Sequence, residues 1–490
     1  MPDKTIFDIA VVGYGPTGAT LASLLVREGL SVLVIEREND IYDLPRAVHF
    51  DDETMRVFQA VGIADDLVKF LHINPGMRFV DDQDNLLLDW PRDPDITAQG
   101  WNASYRFHQP DLEKLLRAYL ENCGNVQIVK NCELRKAAEV EDHVILGCKE
   151  HPTGSLIEFK ARYVVGCDGA NSIIRKTIGG GLNDLGFRER WLVLDLLLNK
   201  PRPDLGDHTI QFCNPKRPMT YCRGPKNRRR WEITMLEEES AEDMVRPERV
   251  WDLLSRWITP EDARLERNAV YTFRSAIAYK WRKGRLLIAG DAAHLTPPFM
   301  GQGMCAGVRD ASNLAWKLAA VVQDRAGDAL LDSYQIERAP HALAYVETAM
   351  LLGGLINSMD RQRASQFEQD ESQGQASMKS IQPKLGQSDL VMSQPENPDD
   401  PVGRPFAQPR LGAGDILLDD MVGYRHLIIS QRPPKRQASS DIICLAAQDY
   451  PPLAQLLDQL KTGAVWVRPD RYIGAVAADA DALFEQMHLN

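Results

Sequence analysis

Basic charge is in short supply in this chain: 57 Lys and Arg stand against 69 Asp and Glu, for a net charge of −12. A surface of that sign repels polyanions, which argues against nucleic acid or an anionic membrane as the main partner. Long apolar runs are also missing, and none approaches the roughly 18 residues that a membrane-crossing helix requires. The opening MPDKTIFDIAVVG has no basic stretch leading into an apolar core and a cleavage site, so no secretory leader is expected. Paired cysteines are absent too. The eight that occur are scattered, with no CxxC and no metal-ligand spacing, and they read as reduced thiols of a cytoplasmic protein with no metal site. The sequon Asn102-Ala103-Ser104 is then a chance match.

What is present is enough for two or three domains: 490 residues, of which 44% are hydrophobic and 26% charged. Residues 6–36 form a compact unit. FDIAVVG is an apolar, β-branched strand, GYGPTG breaks it, ATLASLLVREG has Leu21, Leu24 and Leu25 on one helical face, and LSVLVIE is a second buried strand. This is the opening of a doubly wound α/β sheet. Gly13, Gly15 and Gly18 form G-x-G-x-x-G between the first strand and the helix. Gly13 allows the tight turn, Gly15 lets a pyrophosphate approach the backbone, and Gly18 lets helix pack on strand. Glu36 ends the second strand, where an acid accepts hydrogen bonds from ribose hydroxyls. A dinucleotide site follows.

The fingerprint alone leaves NAD and FAD open. No second G-x-G-x-x-G occurs for a resident nicotinamide cofactor, but ARYVVGCDGANS (161–172) and GRLLIAGDAAHL (284–295) each run an apolar strand into a Gly/Asp loop. Those loops supply the further contacts that a long, extended FAD needs. The second continues as GDAAHLTPPFMGQG, stiffened by proline and loosened by glycine. Met304, Val308, Ala311, Ala315, Leu318 and Val322 then recur at helical spacing, so a buried helix begins near Gly303 with its positive end facing the loop. The sequence divides into a discontinuous nucleotide domain (1–180 and 281–359), an inserted antiparallel sheet (181–280), a Gln/Ser/Pro-rich linker (360–400) and a small αβ segment (401–490).

With these stretches assembled, the chain resembles the class A flavoprotein monooxygenases, the p-hydroxybenzoate hydroxylase superfamily. The matching motifs are G-x-G-x-x-G at 13–18, C-D-G-A-N-S-x-x-R at 167–175 and G-D-A-A-H-x-x-P-P at 290–298. PRAVHFDDE, FHQPDLEKLLR, GVRDASNLAWKL and VRPDRYIGAVA carry a closer likeness to the 3-(3-hydroxyphenyl)propionate hydroxylase group. The resemblance implies a Rossmann-like FAD domain, an inserted β-sheet domain for substrate, and a thioredoxin-like C-terminal domain without CxxC. It implies bound FAD, NADH or NADPH as transient reductant, O2, and ring hydroxylation of a phenol through a C4a-hydroperoxyflavin. A 3-(3-hydroxyphenyl)propionate-type acid is the first substrate it suggests. A resorcinol, a hydroxyquinoline or a polyketide phenol is the alternative, and a non-catalytic FAD redox sensor a more distant one. The tail offers a surface for a homodimer.

Residue by residue, the resemblance places Gly13, Gly15, Pro16, Thr17 and Gly18 at the pyrophosphate, and Glu36, followed by Arg37, at the adenosine ribose. Arg46 and Gln109 meet the phosphate and ribitol region, Asp168 lies in the second motif, and Asp291 holds the ribityl arm. Pro298 walls the isoalloxazine, and Gly301, Gln302, Gly303 and Met304 aim N–H groups at its pyrimidine edge. His49 is the candidate catalytic base, whereas His294 reads as a residue that orients its loop. Tyr221, Tyr271 and Phe273 lie in the sheet that roofs the substrate. Arg188, Arg190, Arg223 and Arg274 share that sheet without a recognisable clamp for a carboxylate. No metal ligands are expected.

Overall fold

The computed structural model describes every residue except 1–5, 42–45, 152, 359–368, 371–374, 394–396, 398, 413, 436–437 and 488–490. At its centre lies the strand Ile6–Val12, flanked in parallel by Leu156–Gly166 on one side and Val32–Ile35 on the other. Leu286–Ile288 and Val126–Val129 extend the parallel sheet outward. Where they converge, at residues 9–12, Val32–Ile35, 163–165 and Leu286–Ile288, these strands are apolar and buried because both faces are covered. Their register sets the site: Val12 stands beside Gly166 and Ile35, and Gly166 beside Ile288. The loops after residues 12, 35, 166 and 288 therefore open at one edge of one sheet.

The inserted domain is built on two long antiparallel strands, Leu182–Leu198 and Ala263–Ala278, followed across the sheet by Arg228–Thr234, Met219–Arg223 and Thr209–Phe212. It does not stop there. Thr209–Phe212 pairs in parallel with Gly76–Val80, which pairs with Leu86–Pro91. Residues 76–91 thus belong to this sheet, not to the nucleotide domain where a boundary at 180 put them. One face of the sheet is apolar: Leu192, Leu194, Trp231 and Ile233 pack with Val250 and Leu254 of the helix Pro247–Leu254. The alternate residues, among them Asp195, Arg230 and Glu232, look the other way, and Arg230 Nη1 donates to the Arg46 carbonyl at 2.8 Å. That polar face is the one turned toward the nucleotide domain.

The helix Gly303–Val322 is buried along nearly its whole length and lies against the first helix, Pro16–Arg27. A second helix, Asp332–Ser358, follows a break in which Asp324 is left-handed. The stretch Asp328–Ile356 is long and apolar enough to cross a membrane, though half of its most apolar window is buried inside the protein. The C-terminal segment forms a four-stranded mixed sheet, in the order Ile442–Ala446, His426–Ser430, Ala464–Val467, Ile473–Ala477, with helices Pro451–Gln459 and Ala480–Gln486. Its strands and helices form a small αβ unit. It is locked to the rest: Arg56 donates to Asp419 at 2.6 and 2.8 Å, and Arg468 to Glu337 at 2.8 Å, all four side chains buried.

Candidate active site

The glycine turn is shaped by clashes it avoids. Gly13 has φ +101°, and a Cβ there would stand 2.4 Å from the Cys167 carbonyl oxygen. A Cβ on Gly18 would stand 2.0 Å from the Gly13 oxygen. Gly15 is different, since a Cβ there meets nothing within 4 Å. Behind it starts Pro16–Arg27, with no side-chain cap and no acid in its first turn. Its free N–H groups and open approach suit a pyrophosphate. Glu36 is held ready by the backbone, accepting from Tyr14 N at 2.7 Å and from Glu38 N at 2.9 Å. Arg37 is exposed and pairs with Glu38.

The second and third loops are tied together. Asp168 Oδ2 accepts from Ile173 N at 2.7 Å and so starts a short helix, while its Oδ1 is buried without a partner. Arg175 reaches across to donate to the Ala292 carbonyl at 2.8 Å. Thr17 wedges between Gly290 and Gly307, where added Cβ atoms would come within 2.8 and 2.2 Å of its Oγ1. Gly290 N donates to Asp310 Oδ2 at 3.0 Å, and His294 Nε2 lies 2.7 Å from the same oxygen. Arg338 Nε donates to Asp310 Oδ1 at 2.9 Å. Burial alone would raise the Asp310 carboxyl, but His294 and Arg338 hold it below the usual range. His294 is fully buried in this support. From Arg338 the chain of contacts continues to His341 Nδ1 at 2.8 Å, then to Tyr472 of the C-terminal unit, whose hydroxyl donates to Glu53.

At the mouth, Gln109 Oε1 accepts from Arg46 N and Ala47 N at 3.0 Å each, and the Arg46 guanidinium faces Asp291 at 3.8 Å. The turn Pro298–Met300 leads into Gly301 at φ +64°, packed against His49. Gln302 turns its side chain inward to Asp51 and Arg309. The helix beginning at Gly303 and Met304 therefore has no side-chain cap, and its first turn carries no acid. Two bare helix ends, an open glycine and a buried orphan carboxylate oxygen fit an extended phosphate-bearing cofactor with an electron-rich ring.

His49 sits beside this edge with Nδ1 3.4 Å from the Gly301 carbonyl oxygen. Burial and then the nearby Arg106 push its imidazole down to about 3, so it is neutral at ordinary pH and a weak proton acceptor. Of the roof residues, Tyr271 and Phe273 stack at 6.2 Å on the strand Ala263–Ala278, and Phe273 joins Phe187, Trp191 and Phe299 in an apolar wall next to the Pro298 turn. Tyr221 does not belong with them. It lies on the apolar face, against Trp231 at 5.0 Å, with its hydroxyl on the Gly206 carbonyl. Its odd position in a strand whose even residues face the nucleotide domain turns it away. Three of the four roof arginines are committed elsewhere: Arg190 to backbone carbonyls, Arg223 to Asp207, and Arg274 to Asp184. Sequence reasoning missed Asp310 and Arg338, which are indistinguishable in sequence from ordinary helix-surface charges. It also missed Arg106, which gives no signal within SYRF.

A sheet edge that gathers three such loops, beneath a roof from an inserted sheet, defines an FAD-binding monooxygenase of class A. The chain belongs to the FAD binding domain family, whose profile matches residues 7–349. It is similar to a probable NADH-specific resorcinol 4-hydroxylase of Rhodococcus jostii (strain RHA1), 42% identical over 73% of this chain and 67% of that one. It is also similar to a 3-(3-hydroxy-phenyl)propionate/3-hydroxycinnamic acid hydroxylase of Mycolicibacterium gilvum (strain PYR-GCK), 35% identical over 88% of this chain and 76% of that one. Among solved structures, aklavinone-11 hydroxylase with FAD and aklavinone superposes with a TM-score of 0.81 at 23% identity, covering 99% of both chains. The flavin-dependent monooxygenase PieE, with FAD and substrate, gives 0.83 at 20%, again over 99% of both. At those identities the likeness is one of fold. The protein is an FAD-dependent aromatic monooxygenase.

Proposed function

We propose that this chain uses NADH or NADPH to hydroxylate a single-ring phenol bearing a second substituent meta to the hydroxyl, with a 3-(3-hydroxyphenyl)propionate-type acid as its first substrate. The observation that carries this reading is the division of the roof. Its apolar wall of Phe187, Trp191, Phe273 and Phe299 stands at the Pro298 turn, and its charged half, Asp195, Arg230 and Glu232, lies farther across the sheet. A ring fits the first and a polar substituent the second. The substrates named for the two relatives above, resorcinol and hydroxyphenylpropionate, share the meta pattern.

When bound, FAD supplies the passage of electrons from the nicotinamide to O2 and of one oxygen atom to the ring. The chain's own residues do the rest. Glu36 and the turn at Gly13–Gly18 hold the adenosine end. Asp291 and Arg46 would close the mouth, and the N-terminus of Gly303–Val322 would offer its dipole to an electron-rich edge of the bound cofactor. The aromatic wall excludes water. His49, kept neutral, serves as a hydrogen-bond partner at the ring rather than as the base that removes a phenol proton.

The test is phenol-stimulated oxidation of NADH and of NADPH by the purified flavoprotein, with product mass. Coupled addition of one oxygen to a meta-substituted phenol is expected. Coupled turnover of bulky polyketide phenols alone would refute the reading. The 42% identity favours resorcinol as the second reading, marked by turnover of resorcinol and none of the acid.

A further inference from the structure

We infer that Arg106 is the anchor for a carboxylate on the substrate, an assignment that rests on the phenol-hydroxylase reading above. Arg106 ends the short strand Ser104–Arg106, directly opposite His49 in an antiparallel pair. It is 3% exposed. Its Nη2 donates to Thr209 Oγ1 on the roof, and its Nε is buried without a partner. Among the described residues, no carboxylate lies within ion-pair distance of its guanidinium.

The acids nearby are already engaged. Asp195 is taken by Arg230 at 2.7 Å and Arg267 at 2.6 Å, and Glu232 lies 3.5 Å from Arg230. On the polar face of the roof, Arg230 and Arg267 thus share Asp195, and Arg230 also stands nearest Glu232. Arg106 is buried beside them with no carboxylate at pairing distance among the described residues. An unpaired buried guanidinium is unfavourable, and a carboxylate offers it bidentate pairing.

Its place suits a substrate tail. On one side stands His49, whose imidazole touches the Gly301 carbonyl of the flavin loop. On the other is Thr209, on a strand three places across the sheet from Leu182–Leu198, which carries Trp191 of the aromatic wall. A ring against the wall and an acid at Arg106 occupy opposite ends of one roof. Thr209 keeps the guanidinium turned toward the sheet and leaves its Nε edge free.

The experiment compares wild type, Arg106→Gln and Arg106→Lys as FAD-loaded proteins. The probes are 3-(3-hydroxyphenyl)propionate, its neutral amide, and resorcinol, read both by flavin difference spectra for binding and by coupled NADH or NADPH oxidation. Wild type is expected to prefer the acid over the amide. Arg106→Gln should raise Kd and KM for the acid about a hundredfold, with flavin content retained and a much smaller loss for resorcinol. Arg106→Lys, which keeps the charge but loses the fork, should fall between. Equal losses on acid and resorcinol, or an unchanged Kd for the acid, would overturn the anchor. If Arg106→Gln does not fold, the acid-to-resorcinol KM ratio of Arg106→Lys decides, and a ratio equal to wild type overturns it. Wild-type turnover of resorcinol with no binding of the acid removes the anchor and leaves the hydroxylase standing. Turnover of no phenol at all removes the reading beneath it.

Discussion

Gly13 and Gly15 are two residues apart and do opposite jobs. Gly13 is left-handed and crowded by Cys167, whereas Gly15 has ordinary backbone angles and open space. Gly13→Ala should therefore cost the fold, by about 2–3 kcal/mol or more. Gly15→Ala should melt like wild type without FAD yet bind FAD at least about tenfold more weakly, because its methyl stands where phosphate belongs. Thermal melts and flavin titration separate the two. Asp52 makes a pH prediction. Burial and then its neighbour Asp51 push its carboxyl up to about 7, whereas an unfolded Asp titrates near ~3.9. Between those values the folded state alone holds the proton, so the stability tied to Asp52 is greatest at acid pH and declines as pH rises through 7. Asp52→Asn should remove that decline. Its stability relative to wild type should grow from pH 5 to pH 8 by about 1–3 kcal/mol, and a gap independent of pH would exclude Asp52 as the source.

Elements meet here through single buried groups. Asp310 joins its own helix to the loop at Gly290 and His294 and, through Arg338, to the helix Asp332–Ser358. Asp310→Asn should leave Arg338 buried and uncompensated, costing about 3–5 kcal/mol and loosening the flavin loop, seen as a lower Tm together with loss of FAD on dialysis. None of this pairing is legible in the sequence, because the partners of a buried charge are set by tertiary packing. Local patterns are another matter. The strand–turn–helix–strand unit at 6–36, the two Gly/Asp loops and the buried helix from Gly303 were all readable, since each is a short-range constraint on backbone shape. The roof was readable only in part. Alternation shows that Tyr221 and Cys222 face opposite ways, but not which faces the flavin loops, and that parity made the difference between Tyr221 and Phe273. The pairing of 76–80 with 209–212 is parallel and distant in sequence, so no turn announces it.

At the scale of the whole molecule, the C-terminal unit is keyed into the nucleotide domain. Arg56 finds Asp419, Glu337 finds Arg468, and Glu53 finds Tyr472. A chain cut after residue 400 strips partners from Arg56, Glu337 and His341 at once. It should lose cooperative unfolding and retain little FAD, checked by circular dichroism melts and flavin content. A truncated chain with an undiminished Tm would show that the lock carries no weight.

The Tyr472–His341–Arg338–Asp310 line also orders events in time. During synthesis Gly13 leaves the ribosome 459 residues and Gly290 182 residues ahead of Tyr472, at a pace of roughly 5–20 residues per second. Until residues 419–472 arrive, the buried charges around the central helix lack part of their company. Firm retention of the cofactor is then expected only once the C-terminal unit has folded.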